Sequence, residues 1–152
     1  MQTAYFAGGC FWCVEAIFQR IDGVKELING YSNGSTQNPT YEEVCSGQSG
    51  HAEVLKIEFD EQQISFTYLL EVFVETHDPT SLNQQGADRG TQYRSAVFYT
   101  DSNQRDQAVS VINSIPDAVT EISPLDVFYA AESYHQNYYN NCLLYTSPSP
   151  RD

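Results

Sequence analysis

Basic side chains are scarce in this chain. Seven Lys and Arg face twenty Asp and Glu, a formal net charge of −13 at pH 7. A surface of that sign repels phosphate backbones, so no nucleic-acid partner is expected, and solubility is its plain use. No apolar run approaches the roughly 20 residues that span a bilayer, so no membrane partner is expected either. The opening MQTAYFAGG lacks a basic n-region and a long apolar h-region. It does not read as a secretory signal, and a cytoplasmic location is expected. No linker and no repeat divides the chain. Hydrophobic residues make up 41% of its 152 positions, enough for one core.

The pattern along the chain alternates strands and helices. Thr3–Ala7 reads as a short strand broken by Gly8 and Gly9. Phe11, Val14, Ile17, Phe18 and Ile21 then recur at the spacing of one helix face, predicting a helix from Cys10 to Ile21. A strand over Val24–Tyr31, a polar loop and a helical turn over Tyr41–Cys45 follow. Ala52–Phe59 reads as a strand with Leu55, Ile57 and Phe59 on one face and Ala52 and Val54 on the other. Ser65 caps a helix to Glu75, and THDPTSLNQQGADRG reads as a long loop of the functional kind. Gln92–Tyr99 reads as a strand, and Ser102 caps a helix to Ser114. Val119–Ile122 and Asp126–Tyr129 read as short strands before a helix from Ala131. Interleaved elements of this kind predict an α/β (α+β) protein, a two-layer α/β sandwich on a mixed sheet with a ferredoxin-like core.

Cysteine is sparse too: Cys10, Cys13, Cys45 and Cys142. In a cytosolic chain such cysteines read as catalytic or metal-binding before they read as staples. Cys10 stands at the strand–glycine–helix junction of GGCFWCVEA, where the positive end of the helix and its unpaired N–H groups favour thiolate. Cys13 follows at CxxC spacing. Packing of both thiols as small hydrophobes is one alternative, and a thioredoxin-like dithiol–disulfide oxidoreductase is another. A zinc module is a third. It would need a second ligand pair from Cys45 and His51 or from His77 and His135, which is a poor zinc pattern, and no metal site is expected.

GCFWCVEA, GHAEV, HDPT, GTQYRS and AESYHQNYY, in this order, resemble the A class of peptide methionine sulfoxide reductases. The resemblance runs from Ala4 to Asn140. It implies reduction of methionine S-sulfoxide, free or in proteins, with thiols carrying the electrons and no metal or organic cofactor. It implies that Cys10 attacks the sulfoxide sulfur. Phe11 and Trp12, the latter the only Trp of the chain, match the aromatic pair that walls the S-methyl group. Glu53, which alone reads as a polar residue on a strand's outer face, matches the acid that protonates the sulfoxide oxygen. Tyr41 and Tyr93 match tyrosines whose hydroxyls bond that oxygen, and Asp88 matches an acid that orders the site through water. His51 and Glu15 fall in matched motifs and read as supporting residues. The family's NRQGND stands here as NQQGAD, so Gln84 and Ala87 replace Arg and Asn while Asp88 remains.

Attack by Cys10 leaves a sulfenic acid, which condenses with a nearby thiol. In many relatives that thiol lies in a glycine-rich C-terminal tail, which would nominate Cys142. CLLYTSPSPRD, residues 142–152, instead matches one reading frame of a widely used transposase sequencing adapter. The expected domain is therefore 1–141, with 142–152 a non-native tail, a reading that independent genomic reads across the junction test. Cys13 is then the expected resolving thiol, ahead of Cys45. The resemblance implies thioredoxin as reductant, and a monomer is expected.

Overall fold

A computed structural model describes residues 2–85 and 88–136. Cys142 and the proposed tail lie outside them.

The chain runs β1 (Gln2–Gly8), α1 (Phe11–Phe18), β2 (Val24–Ser32), α2 (Tyr41–Cys45), β3 (Ala52–Phe59), α3 (Phe66–Thr76), β4 (Gln84–Gln85), β5 (Asp88–Arg89), β6 (Ser95–Tyr99), α4 (Ser102–Asn113), β7 (Glu121–Pro124) and β8 (Phe128–Ala130). Six strands form one sheet in the order β7-β6-β1-β3-β2-β8, and β4 and β5 pair separately. All neighbours are antiparallel except β6 and β7. The central order β6-β1-β3-β2, threaded by α1 and α3, is the ferredoxin-like core, and the parallel β7 makes the sheet mixed.

Alternation along β3 decides how the two faces are covered. Leu55, Ile57 and Phe59 join Phe6, Val14, Phe18, Leu69, Leu70, Phe73 and Ala108 in the main core, under α1, α3 and α4. Ala52 and Val54 point the other way, beside Tyr5, Ala7, Ala96 and Phe98, and that face is closed by Leu125 and Phe128. Phe6 is fully buried, with its ring stacked on Phe73 at 4.8 Å and tilted against Phe18 and Phe66.

Several boundaries depart from the sequence pattern. The first helix stops at Phe18, not Ile21, because Arg20 and Ile21 donate to carbonyls three residues back and tighten the chain toward β2. Gln92 to Arg94 is not strand. Thr91–Tyr93 winds as a 3-10 turn held by Arg94, whose Nη1 donates to the Thr91 and Gly50 carbonyls. Part of the long loop pairs as β4 and β5. Asp101, not Ser102, caps α4 by accepting from the Gln104 N–H at 2.8 Å. The late strands sit one or two residues further on than the pattern placed them. The helix expected from Ala131 is, among the described residues, an extended segment and one 3-10 turn, Ser133–His135. It is pinned by Gln136, whose side-chain amide accepts from the Asn29 N–H at 2.7 Å and donates to the Asn29 carbonyl at 2.9 Å, extending the edge of β2.

Phe6 touches three other rings, so Phe6→Ala leaves a cavity the sheet cannot close. The expected loss is about 3–5 kcal/mol, read as a lowered urea midpoint with an unchanged slope; a loss below about 1 kcal/mol would contradict this packing.

Candidate active site

The site forms where β1 hands over to α1. Gly8 and Gly9 make that handover possible. A Cβ on Gly8 would lie 2.8 Å from the Phe73 ring. Gly9 has φ +93°, and a Cβ there would meet Gln85 at 2.8 Å. Gln85 lies so close because it is locked to the HDPT segment: its Oε1 accepts from the Asp78 N–H and its Nε2 donates to the Asp78 carbonyl. Cys10 then serves as the N-cap of α1, its carbonyl accepting from the Cys13 and Val14 N–H groups.

Glu53 lies across from this helix mouth on β3, opposite Tyr31 in the β2 register. It is 2% exposed. Its Oε1 accepts from the Phe11 N–H at 3.2 Å, while its Oε2 is buried with no partner. Burial drives its pKa up to about 8; the Phe11 N–H opposes this, and charge on Asp88 and Cys13 adds to it. At pH 7 roughly nine in ten carboxyls are then neutral. A neutral carboxyl with a free buried oxygen is a proton donor awaiting an acceptor.

The cysteines correct one expectation. The Cys10 thiol is not held low at the helix mouth. A hydrogen bond with the Cys13 thiol pushes its pKa up, burial and the Glu53 charge add to that, and the Trp12 N–H only partly offsets them. Neither cysteine is in a disulfide; Cys13 is exposed and Cys10 half-buried. Cys45 is half-buried too, raised chiefly by burial while the Tyr41 and Tyr93 hydroxyls bond its sulfur. Burial also raises both tyrosines, followed by the bond to Cys45 for Tyr41 and the Glu53 charge for Tyr93, so their hydroxyls stay protonated and able to donate. Asp88 is exposed on β5, and its charge reaches both Glu53 and Tyr93.

Phe11 and Trp12 are not equivalent. Phe11 is buried against Tyr31, while Trp12 is half-exposed, stacked on Tyr41 at 6.1 Å and on His135 at 5.4 Å. The Phe11–Glu53 hydrogen bond, the Trp12–Tyr41 stack and the reach of the Glu53 charge to Cys10, Tyr41 and Tyr93 gather these residues around the start of α1.

Glu132 and His135, which brace these residues, had no catalytic or binding role from sequence alone. Glu132 accepts from the Tyr31 hydroxyl at 2.9 Å and from the Tyr41 N–H at 3.0 Å. Burial acts to raise its pKa, but these donors and its own N–H outweigh it and hold the carboxylate charged. Glu15 is buried and accepts from Asn29 Nδ2 at 2.9 Å, a supporting place. Glu132 and His135 both stand in AESYHQNYY, and that motif was the only available signal for them.

The histidines do not form a zinc set. His51 Nδ1 accepts from the Gly34 N–H and its Nε2 donates to the Thr36 carbonyl. His77 Nδ1 donates to the Phe73 carbonyl, which leaves Nε2 to accept from Ser95 Oγ. Among the described residues no cluster of three or more His, Cys, Asp and Glu is placed to hold a metal ion, and no helix is long and apolar enough to cross a membrane.

The family model for peptide methionine sulfoxide reductase matches residues 2–147. The chain belongs to the peptide methionine sulfoxide reductase family, and thiol-dependent methionine sulfoxide reduction is its activity. It is 64% identical over 144 residues to the peptide methionine sulfoxide reductase MsrA of Vesicomyosocius okutanii, covering 94% of this chain and 88% of that protein. The reduced form of Saccharomyces cerevisiae Mxr1 superposes with a TM-score of 0.89 at 30% identity, over 99% of this chain and 88% of that one. The structure of Mxr1 in complex with Trx2 superposes at 0.64 with 22% identity, over 90% and 84%, a likeness of fold.

Glu53 gives this reductase a pH signature in stability. Between the carboxyl's ordinary 4.5 and about 8, the folded protein keeps a proton that the unfolded chain releases. Stability therefore falls as pH rises through that window and levels off above it. Glu53→Gln removes that decline. Its urea midpoint exceeds that of the parent above about pH 8 and the two converge below about 4.5; parallel curves at all pH values would contradict a neutral buried Glu53.

Proposed function

We propose that Cys10 is the nucleophile, Glu53 the acid and Cys13 the resolving thiol in reduction of the S epimer of methionine sulfoxide, free or in proteins. The observation that carries this is the buried, unpartnered Oε2 of a neutral Glu53, beside the helix mouth that presents Cys10. The sulfoxide oxygen is the acceptor that Oε2 lacks. The Tyr41 and Tyr93 hydroxyls turn from the Cys45 sulfur to donate to the same oxygen, and Trp12 with Phe11 behind it walls the S-methyl group. Asp88 on the rim orders water at the entrance.

The electrons balance in three steps. Cys10 sulfur attacks the sulfoxide sulfur while Glu53 protonates the oxygen; methionine leaves reduced by two electrons, and Cys10 becomes a sulfenic acid. The thiol proton of Cys10 restores Glu53. Cys13 sulfur then attacks Cys10 sulfur and water departs, forming a disulfide. The Cys13 thiol raises the Cys10 pKa more than any other neighbour does, and this influence supports Cys13 as the partner. A dithiol reductant, thioredoxin by resemblance, returns both thiols, and the exposed Cys13 is the sulfur open to it. The yeast Mxr1 complex with Trx2 supports a protein reductant docking on this fold. The same reading places the enzyme in the cytoplasm as a monomer.

Single-turnover reduction of the two epimers tests the nucleophile and the specificity. The parent protein reduces the S epimer and Cys10→Ser reduces neither; equal turnover by both proteins would defeat the reading. Cys13→Ser keeps its single turnover and loses recycling with thioredoxin, and normal recycling in that variant would remove Cys13 from the scheme. A general dithiol oxidoreductase would instead reduce insulin disulfides and ignore both sulfoxides.

A further inference from the structure

The Trp12 side chain has one polar atom, the indole nitrogen. Trp12 Nε1 donates to His135 Nδ1 at 3.1 Å, across 123 positions of sequence. The direction is fixed by chemistry, because an indole nitrogen only donates. His135 must therefore be neutral with its proton on Nε2. That ring is 1% exposed, its Nε2 has no hydrogen-bond partner among the described residues, and Glu132 Oε1 lies 3.9 Å from it. His135 packs against both rings of the proposed methyl wall, Phe11 at 5.4 Å and Trp12 at 5.4 Å, and against Tyr41 at 4.4 Å. Its own carbonyl is held by Asn29 Nδ2 at 2.8 Å, so β2 fixes its backbone.

We propose that His135 is a positioning residue: its neutral Nδ1 holds the Trp12 indole in the orientation that walls the substrate methyl group. This deepens the proposed function and rests on its assignment of Trp12. Protonating His135 turns Nδ1 into a donor facing another donor, so the anchor exists only in the neutral ring. Burial favours that form by lowering the histidine pKa from its ordinary 6.5, and Glu132 works against it. Among the described residues, the other titratable groups around the ring are Tyr41 on α2, Tyr134 beside it, Tyr31 on β2 through Glu132, and Glu15 on α1 through Asn29.

The single Trp of the chain makes the anchor visible by fluorescence. An imidazolium next to an indole quenches it, so emission of the intact protein falls as pH drops below the histidine range, and that step vanishes in His135→Asn and His135→Phe. His135→Phe keeps a ring for the stack and loses the acceptor. It should raise KM for methionine sulfoxide by about three- to tenfold, the worth of one lost hydrogen bond, and spare kcat. His135→Asn restores an acceptor near Nδ1 and should return KM toward that of the parent. Emission indifferent to pH in the parent protein overturns the proposal even if His135→Phe does not fold. A shifted emission with unchanged KM in His135→Phe also overturns it. Trp12→Leu then separates the two failures: unchanged KM there removes Trp12 from the methyl wall, whereas raised KM leaves the wall standing and His135 without a part in it.

Discussion

The hydrogen bond from the Phe11 N–H to Glu53 is the constraint on which the rest of this site depends. It joins the first turn of α1 to the start of β3, and it occupies only one oxygen of a carboxyl sealed from water. A charged carboxylate in that place would need more donors than the fold supplies, so the group stays neutral. One arrangement thereby fixes where the nucleophile's helix begins and keeps a proton next to it. The GG turn serves the same end, because β1 must reverse into α1 without a side chain striking Phe73 or Gln85.

Around this point the aromatics form a braced wall and not a loose cluster. Glu132 holds Tyr31 by its hydroxyl and Tyr41 by its backbone, and His135, one turn on, meets Trp12. These contacts draw on β2, α2, α1 and the segment after β8, elements far apart in sequence. The wall is therefore a product of the sheet order, in which β8 lies beside β2 and brings Glu132 and His135 back over the helix mouth. A Trp held in place in this way needs less ordering when a substrate binds.

Much of this was legible in the chain, because it depended on local periodicity or on a motif. The faces of Ala52–Phe59 followed from alternation, Tyr41–Cys45 from its turn signals, and the places of Cys10, Phe11, Trp12, Tyr41, Tyr93 and Glu53 from motifs in fixed order. The errors had a common cause. Gln92 to Arg94 alternates like a strand, yet the Arg94 guanidinium reaches Gly50 and Thr91 and winds that segment into a turn. The segment after Ala131 has a helical look, yet Gln136 and Asn29 bond it to the edge of β2. In both places a long-range side-chain bond overrode a local preference. The Cys10 thiol was misjudged in the same way: the helix mouth is a local feature, while Cys13, burial and Glu53 act through contacts that appear only in the folded chain.

By itself the sequence determined the inventory and its order: a thiol after two glycines, two aromatics behind it, a second thiol, one acid on a strand and tyrosines on turns. Those follow from residue identity and from periods of two and 3.6, which are properties of the chain alone. Only the tertiary structure decided the chemical state of each group. Glu53 is neutral because it is buried with one donor, Glu132 is charged because several donors converge on it, and His135 is neutral because an indole N–H points at Nδ1. Protonation depends on what surrounds a group in space, and those surroundings come from segments 42 to 123 residues apart.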